Sequence, residues 1–367
     1  MEEAPLGGLS PQVFLRRHWQ KRPLLVRGAL PGFRGAVTKS ALFALAARDD
    51  VESRLVERRG GKWNVTHGPL PRARLARARG AWTLLVNGVN GHSPAAERLL
   101  RRFAFIPQAR LDDVMVSYAA PGGGVGPHFD SYDVFLVQGS GRRIWRLARK
   151  QEFACEPQAP LRLIRNFVPD EEYLLEPGDL LYLPPGWGHD GVALDACFTC
   201  SVGFRAPRGA ELAAAFLDYL HERGLPDAAY RDPGLTVARQ PARIGERMIA
   251  YASGVLKRIR WNRADAAEAL GRFLTTPKAN IVFRRNAKRE KLGRNVVVLD
   301  AKTQMLYAGG RFFVNGELLA PSARQRRALA QLADRRRAPG RMLARAGLGP
   351  LILGWQRAGY LRIEARS

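Results

Sequence analysis

Cysteine is scarce in this chain. Three residues among 367, Cys155, Cys197 and Cys200, are too few for a disulfide framework, which fits a reducing compartment. Cys197 and Cys200 form a CxxC pair, but it lies in DACFTCSVGF, a strand pattern. A redox CxxC opens a helix, whose N-terminus lowers the thiol pKa, so this pair is expected to be packing. Long apolar runs are missing as well: none reaches the roughly 18 residues that span a bilayer. The start, MEEAPLGGLSPQVF, is acidic and lacks a signal peptide's apolar centre. The expectation is a soluble, cytoplasmic protein with no membrane partner. Acidic residues are outnumbered, 33 against 59 basic, giving a net charge of +26. Such a field draws a chain toward polyanions, RNA among them. Arginine is nevertheless used throughout, including on ordinary helix surfaces such as RARLARARG, so a compositional habit explains the charge equally well.

What is present suffices for a sizeable core, with 46% hydrophobic residues and a length that suggests two or three domains. No internal repeat and no long low-complexity segment occurs. SPQVFLRRHWQKRPLLVRGAL reads as a helix capped by Ser10, with proline in its first turn, and then a strand LLVRG. TKSALFALAARDD follows in helical style, and WNVTHGPL and WTLLVNGV look like strands and turns. From Leu111 to Phe204 comes a series of short strands broken by Gly and Pro, the texture of a β-barrel or sandwich. After Pro207 the period becomes helical, with Leu212, Phe216 and Leu220 at four-residue steps. These helices want a partner, which is either the rest of the chain or a second copy in a homodimer. From Asn286, strands with Gly309-Gly310 and Asn315-Gly316 turns mix with short basic helices, suggesting a winged-helix-like module. The expected divisions are a catalytic domain over 1–207, a helical, dimer-forming region over 208–285 and the winged-helix-like module over 286–367.

GGGVGPHFDSYDVF begins at Gly122. Phosphate-binding glycines lead into a helix, commonly with GK[ST], whereas these lead into a strand pattern. On a strand, residues two apart share a face, so His128 and Asp130 project together. Polar groups inside a barrel are costly unless paired, and a divalent cation pairs both. PPGWGHDG supplies His189, at the end of a strand after EPGDLLYLPPG. Two histidines and a carboxylate make the facial triad of non-haem Fe(II) oxygenases, with positions left open for co-substrate and oxygen. His18, His67, His92 and His221 lack a carboxylate at ligand spacing and are read as structural.

GGGVGPHFDSYDVFLVQGSGRRIWRL, EPGDLLYLPPGWGHDG, FTCSVGFR and FLRRHWQKRPLLVRGAL together resemble the JmjC-type cupin oxygenases, and within them the bacterial ribosomal oxygenases that hydroxylate an arginine of a large-subunit ribosomal protein. The resemblance spans most of the first 210 residues, and the helical and winged-helix ending matches that family's layout. It implies an α+β chain built on a double-stranded β-helix, with His128, Asp130 and His189 holding Fe(II), and with 2-oxoglutarate and O2 as co-substrates. It also implies a guanidinium for the distal carboxylate of 2-oxoglutarate. Arg143 matches that position and shares a strand face with Trp145 and Leu147, which leaves Arg142 pointing outward. Ser117 is a second candidate for the co-substrate pocket and Ser201 a third.

Asp113, Met115 and Ser117 alternate on one strand face. Asp113 is a candidate partner for a substrate guanidinium, or alternatively a loop cap, and Tyr132 and Met115 are candidates to pack against the same side chain. Two rival readings stand beside this one. The first is a JmjC hydroxylase or demethylase of another side chain. The second is a nucleic-acid regulator that uses the barrel as a sensor and contacts phosphates through Arg324, Arg326, Arg327, Arg335, Arg336 and Arg337. A chain at +26 repels a basic substrate unless acid groups line the cleft or ribosomal RNA mediates the encounter.

Overall fold

Strand alternation decides which side chains line the interior, because successive residues point to opposite faces. In the computed structural model, which describes residues 4–149, 151–157, 159–285 and 290–365, eight antiparallel strands form one sheet. Their order is Leu24–Val26, Leu180–Leu183, Val134–Gln138, Cys197–Phe204, Leu111–Ala119, Ala81–Val86, Ser53–Arg59 and Lys62–His67. A second sheet orders His128–Phe129, Gly188–Ala193, Arg143–Ala148 and Glu171–Leu175. Val134, Leu136, Leu181 and Leu183 of the large sheet form one buried cluster with Trp145, Leu147 and Leu175 of the small one. The two sheets therefore close face to face, as a double-stranded β-helix does.

The alternate residues of the same strands face the other way. Phe135, Val137, Leu180 and Tyr182 join Phe14, Phe103 and Phe204 in a core between the large sheet and the N-terminal helices. Each such side chain, fully buried, contributes about 1.5–3 kcal/mol. Helix Pro11–Arg17 is capped by Ser10, whose hydroxyl accepts from Val13 N–H at 3.3 Å, and helix Lys39–Ala46 is capped in the same way by Thr38. Just before the large-sheet strand Val134–Gln138, Asp133 is fully buried and accepts from Tyr182 at 2.6 Å, Gln20 at 3.0 Å and Arg110 at 3.2 Å. That network ties the N-terminal segment to the turn that follows the strand His128–Phe129.

The expected barrel, N-terminal helix and CxxC packing are present. Cys197 faces a small interior cluster with Ala119 and Ala193, while Cys200 faces the helix-covered core. Three residues apart on a strand, they point to opposite faces, and both thiols are free. Burial pushes the Cys200 thiol up to about 12. Strand Ser53–Arg59, helix Pro94–Arg101 and strand Gly188–Ala193 are additions to the expected elements.

The chain packs as two compact units, one of residues 1–206, 277–303 and 334–367, the other of 207–276 and 304–333. The first unit contains, besides the barrel, a three-stranded sheet of Arg337–Pro339, Val296–Leu299 and Leu361–Glu364. The second contains helices Gly209–Glu222, Glu246–Arg258 and Arg263–Thr275 and the sheet Met305–Ala308, Arg311–Val314 and Glu317–Leu319. Gly271 permits that sheet's Phe313 to approach the helix: a Cβ there would sit 2.3 Å from the ring. The change near 207 coincides with the passage between units. The boundary expected at 286 lies outside the described residues, and the stretch after it is shared between the units rather than forming one of them. No helix among the described residues is long and apolar enough to cross a membrane.

Candidate metal centre

Register brings the three candidate ligands together. His128 and His189 are direct partners across adjacent antiparallel strands, so they share a face, and their rings lie 4.2 Å apart between centroids. Asp130 follows just beyond the strand, which comprises only His128 and Phe129. Its carbonyl accepts from Gly186 N–H at 2.8 Å, which continues the pairing with the neighbouring strand, and its carboxylate projects with His128 as residues two apart on an extended chain do. His189 does not end the strand Leu180–Leu183 but lies second in a strand of its own, Gly188–Ala193. The candidate ligand atoms of all three residues lie within 4.8 Å of one another, with His189 Nε2 and Asp130 Oδ2 at 3.7 Å.

Both imidazoles are prepared in the same way. His128 Nδ1 meets the Gly126 carbonyl at 2.9 Å and His189 Nδ1 meets the Trp187 carbonyl at 3.0 Å. A carbonyl only accepts, so each Nδ1 carries the proton and each Nε2 keeps its lone pair for a cation. Burial first, then the neighbouring His128, holds His189 down to about 4, which keeps it neutral, the ligating form, at physiological pH. Gly126 has φ +78°, and a Cβ there would come within 2.7 Å of Leu163 and 2.9 Å of Trp63. Glycine at this position thus allows the chain to offer its carbonyl beneath packed side chains.

Arg143 lies on the same interior face. Its strand runs Arg143, Trp145, Leu147 inward, opposite Ala193, Gly191 and His189 respectively. Gly191 leaves room for Trp145, since a Cβ there would be 2.6 Å from the indole. Arg143 is only 4% exposed, yet its Nε and Nη2 have no hydrogen-bond partner among the described residues. A buried guanidinium with orphaned donors is costly, and a ligand carboxylate satisfies two of them in parallel. Arg142 points outward, as expected, and pairs with Asp195 at 2.9 Å.

Ser117 and Ser201 are both buried on interior-facing positions of adjacent strands. The Ser117 hydroxyl reaches the Thr199 carbonyl at 3.5 Å, and Ser201 pairs in register with Met115. Asp113 faces inward on the same strand, and its Oδ2 accepts from Gly88 N–H at 2.7 Å. Both readings of Asp113 thus retain a basis: one oxygen caps a turn, the other does not. Burial first, then Asp112, raises its pKa to about 6. Tyr132, 39% exposed, lies in the turn after Asp130. Desolvation of its phenol, then Asp130 and Asp113, pushes its pKa up.

Several contributors escaped the sequence. Thr199 donates to Gln138 Oε1 at 3.1 Å inside the barrel, and the Trp145 indole N–H is buried without a partner among the described residues. Lys278, far along the chain, reaches Asp112 at 2.9 Å. No local motif marks Lys278, since its role depends on the chain's return to the first unit. The other histidines stay outside the site; His92 is held down to about 4 by burial, then by Lys302 and Arg48.

Comparison with known proteins agrees with this geometry. Residues 98–212 match the family model of the JmjC domain and residues 258–362 that of the ROXA-like winged helix. The chain is 44% identical over 234 residues to the ribosomal protein uL16 3-hydroxylase of Escherichia coli, which takes in 62% of this chain and 61% of that one. It is 40% identical over 205 residues to a probable ribosomal oxygenase of Haemophilus influenzae, covering 54% and 50%. The matched stretch thus spans about three fifths and about half the length of these curated relatives. Solved structures of E. coli YcfD align along nearly the whole chain. One has TM-score 0.83 at 31% identity, covering 97% of this chain and 99% of that one. Another, described as a ribosomal oxygenase in complex with cobalt and 2-oxoglutarate, has TM-score 0.81 at 31% identity, covering 98% and 99%.

Proposed function

This chain belongs to the ribosomal oxygenase family of JmjC proteins, and from that premise we propose that it is an Fe(II)- and 2-oxoglutarate-dependent hydroxylase acting on the β-carbon of an arginine in a large-subunit ribosomal protein. The observation that carries the reading is the pairing, on one barrel face, of the His128, Asp130 and His189 cluster with a buried Arg143 whose Nε and Nη2 lack partners. The first is a ligand set for a divalent cation with open positions, the second a receptor for a carboxylate.

His128, Asp130 and His189 hold the metal through two Nε2 atoms and a carboxylate oxygen. Arg143 receives the distal carboxylate of 2-oxoglutarate, with Ser117 and Ser201 as flanking hydroxyls. When bound, iron and 2-oxoglutarate supply the oxidising chemistry: O2 is consumed, one oxygen atom enters the substrate C–H bond, and succinate and CO2 leave. The protein's part is to orient and to exclude water. Asp113 pairs with the substrate guanidinium through the oxygen that Gly88 leaves unbonded, while Tyr132 and Met115 pack against the methylenes. Acid groups here also answer the objection that a chain at +26 repels a basic substrate, because the attraction need only be local.

The homodimer belongs to this reading as well. The second unit leaves Leu217, Ile249, Leu256 and Trp261 roughly half to two thirds exposed, and helix Glu246–Arg258 buries none of its residues. A second copy covers such a face, so the division into a catalytic region over 1–207, a dimerising region over 208–285 and a winged-helix region over 286–367 is retained as a functional one. The net charge supports contact with ribosomal RNA, and a ribosomal substrate makes the cytoplasm the compartment of action. The test is succinate release from 2-oxoglutarate. It should require Fe(II) and rise severalfold when recombinant uL16 is added; release indifferent to uL16 would remove the proposed substrate.

A further inference from the structure

Asp112 and Asp113 stand side by side on strand Leu111–Ala119. Successive residues face opposite ways, so Asp113 looks into the barrel and Asp112 away from it. Two adjacent carboxylates at a half-buried strand end repel each other, and the inner one is the candidate for capturing a guanidinium. Asp112 is not left to itself. Lys278 Nζ lies 2.9 Å from its Oδ1, and Arg205 Nε 3.4 Å from the same oxygen. Asp113 takes one N–H from Gly88 on Oδ2. Near its other oxygen stands Gly203, where a Cβ would come to 3.8 Å. Gly203 sits on the inward-facing side of its strand, since Val202 and Phe204 belong to the helix-covered core, so glycine keeps the space beside Oδ1 open.

We propose that Lys278 is a positioning residue for substrate choice: by pairing with Asp112 it frees Asp113 to carry the negative charge that captures a substrate guanidinium. The inference rests on the arginine reading above and deepens it. The groups that bear on Asp113 are Asp112 beside it, Glu52 and the Gly88 N–H, Lys278 from the later segment, and the Tyr132 phenol. Of these, Asp112 and Glu52 favour the protonated acid, and Lys278 and the Gly88 N–H favour the anion. Lys278 itself is held in the charged form against its burial by Asp113 and Asp112. Removing the ammonium leaves two neighbouring carboxylates with Arg205 paired to the outer one, and the inner one, which is the more buried, takes up a proton at higher pH.

The experiment uses the full chain loaded with Fe(II) and compares wild type, Lys278→Met, Lys278→Arg and the double variant Asp112→Asn/Lys278→Met. KM and kcat for recombinant uL16 are measured from pH 6 to 8.5. Loss of an opposite charge moves a carboxylate by about 1 pKa unit or more, so Lys278→Met should raise KM about three- to tenfold at pH 6.5 and less than about twofold at pH 8.5. kcat should change little, Lys278→Arg should follow wild type, and Asp112→Asn should restore the double variant. A KM profile for Lys278→Met that superimposes on wild type overturns the proposal, as does a loss that Asp112→Asn fails to restore. Carbon-13 titration of the Asp113 carboxyl, identified by its disappearance in Asp113→Asn, needs no substrate: its midpoint should rise in Lys278→Met and stay in Lys278→Arg. An unmoved midpoint overturns the proposal even in a well-folded variant. Failure of wild type to turn over uL16 at any pH, with the midpoint shift intact, would instead count against the arginine substrate.

Discussion

His128 and His189 face each other in register across neighbouring strands, and each donates its Nδ1 proton to the carbonyl two residues before it, Gly126 and Trp187 respectively. The two ligands are thus locked in one tautomer by their own backbone, before any metal arrives. His128→Ala should therefore lower affinity for Co(II), measured by calorimetry, by more than about 100-fold, because a ligand is worth more than the 10–100-fold of an outer partner. An unchanged affinity would mean that the cluster is not the metal site.

Arg143 and Arg142 are adjacent in sequence and opposite in fate. Arg143 is buried with unpaired donors, whereas Arg142 is exposed and bonded to Asp195. Lysine keeps the charge and loses the fork, so Arg143→Lys should raise the KM for 2-oxoglutarate by about 10–100-fold, while Arg142→Lys should change it less than about twofold. Steady-state succinate assays separate the two.

Asp113 carries a pH prediction. Its folded pKa is raised to about 6, mainly by burial, so the anion proposed to bind a guanidinium is present above pH 6 and is lost as pH falls through it. Affinity for uL16 should follow that fall. Folding runs the other way: a raised carboxylate pKa means that stability is given up as pH rises from the unfolded value near 3.8 to about 6. Asp113→Asn should flatten both profiles, and its effect on uL16 turnover should exceed its effect on 2-oxoglutarate consumption without substrate. Equal loss of both activities would refute the role.

Asp133 holds three donors from three parts of the chain, Tyr182, Gln20 and Arg110, with no exposure of its own. Asp133→Ala strands all of them and should cost about 3–5 kcal/mol in denaturant unfolding. A cost below 1 kcal/mol would show that the network adds little to folding.

Trp261, 59% exposed, packs edge to face on Phe216 of the second unit. If a second copy covers this region, Trp261→Glu together with Leu256→Glu should shift the sedimentation coefficient from dimer to monomer. A chain that is monomeric without the changes would remove the dimer from the account.

How far these features were legible in the sequence depended on how local their cause was. Ser10 and Thr38 announce their helices because a cap and its helix are adjacent. The barrel's inner face could be counted off from alternation, which placed Arg143 with Trp145 and Asp113 with Ser117. The same count set Asp130 beside His128, two residues away, whereas strand Gly188–Ala193 was hidden by the PPGWG turn that precedes it. Lys278 and the Asp133 network depend on segments that meet only after the chain has folded, so no spacing rule reaches them. Residues after 286 read as a winged-helix-like module because the Gly309-Gly310 and Asn315-Gly316 turns and the short basic helices are local signals, and residues 258–362 match the ROXA-like winged helix.

The central claim is tested most directly by tandem mass spectrometry of recombinant uL16 after incubation with the protein, Fe(II), 2-oxoglutarate and air. One added oxygen on the side chain of a single arginine, present with the wild-type chain and absent with His128→Ala, is the predicted result. An unmodified uL16, or the same product from His128→Ala, would contradict it.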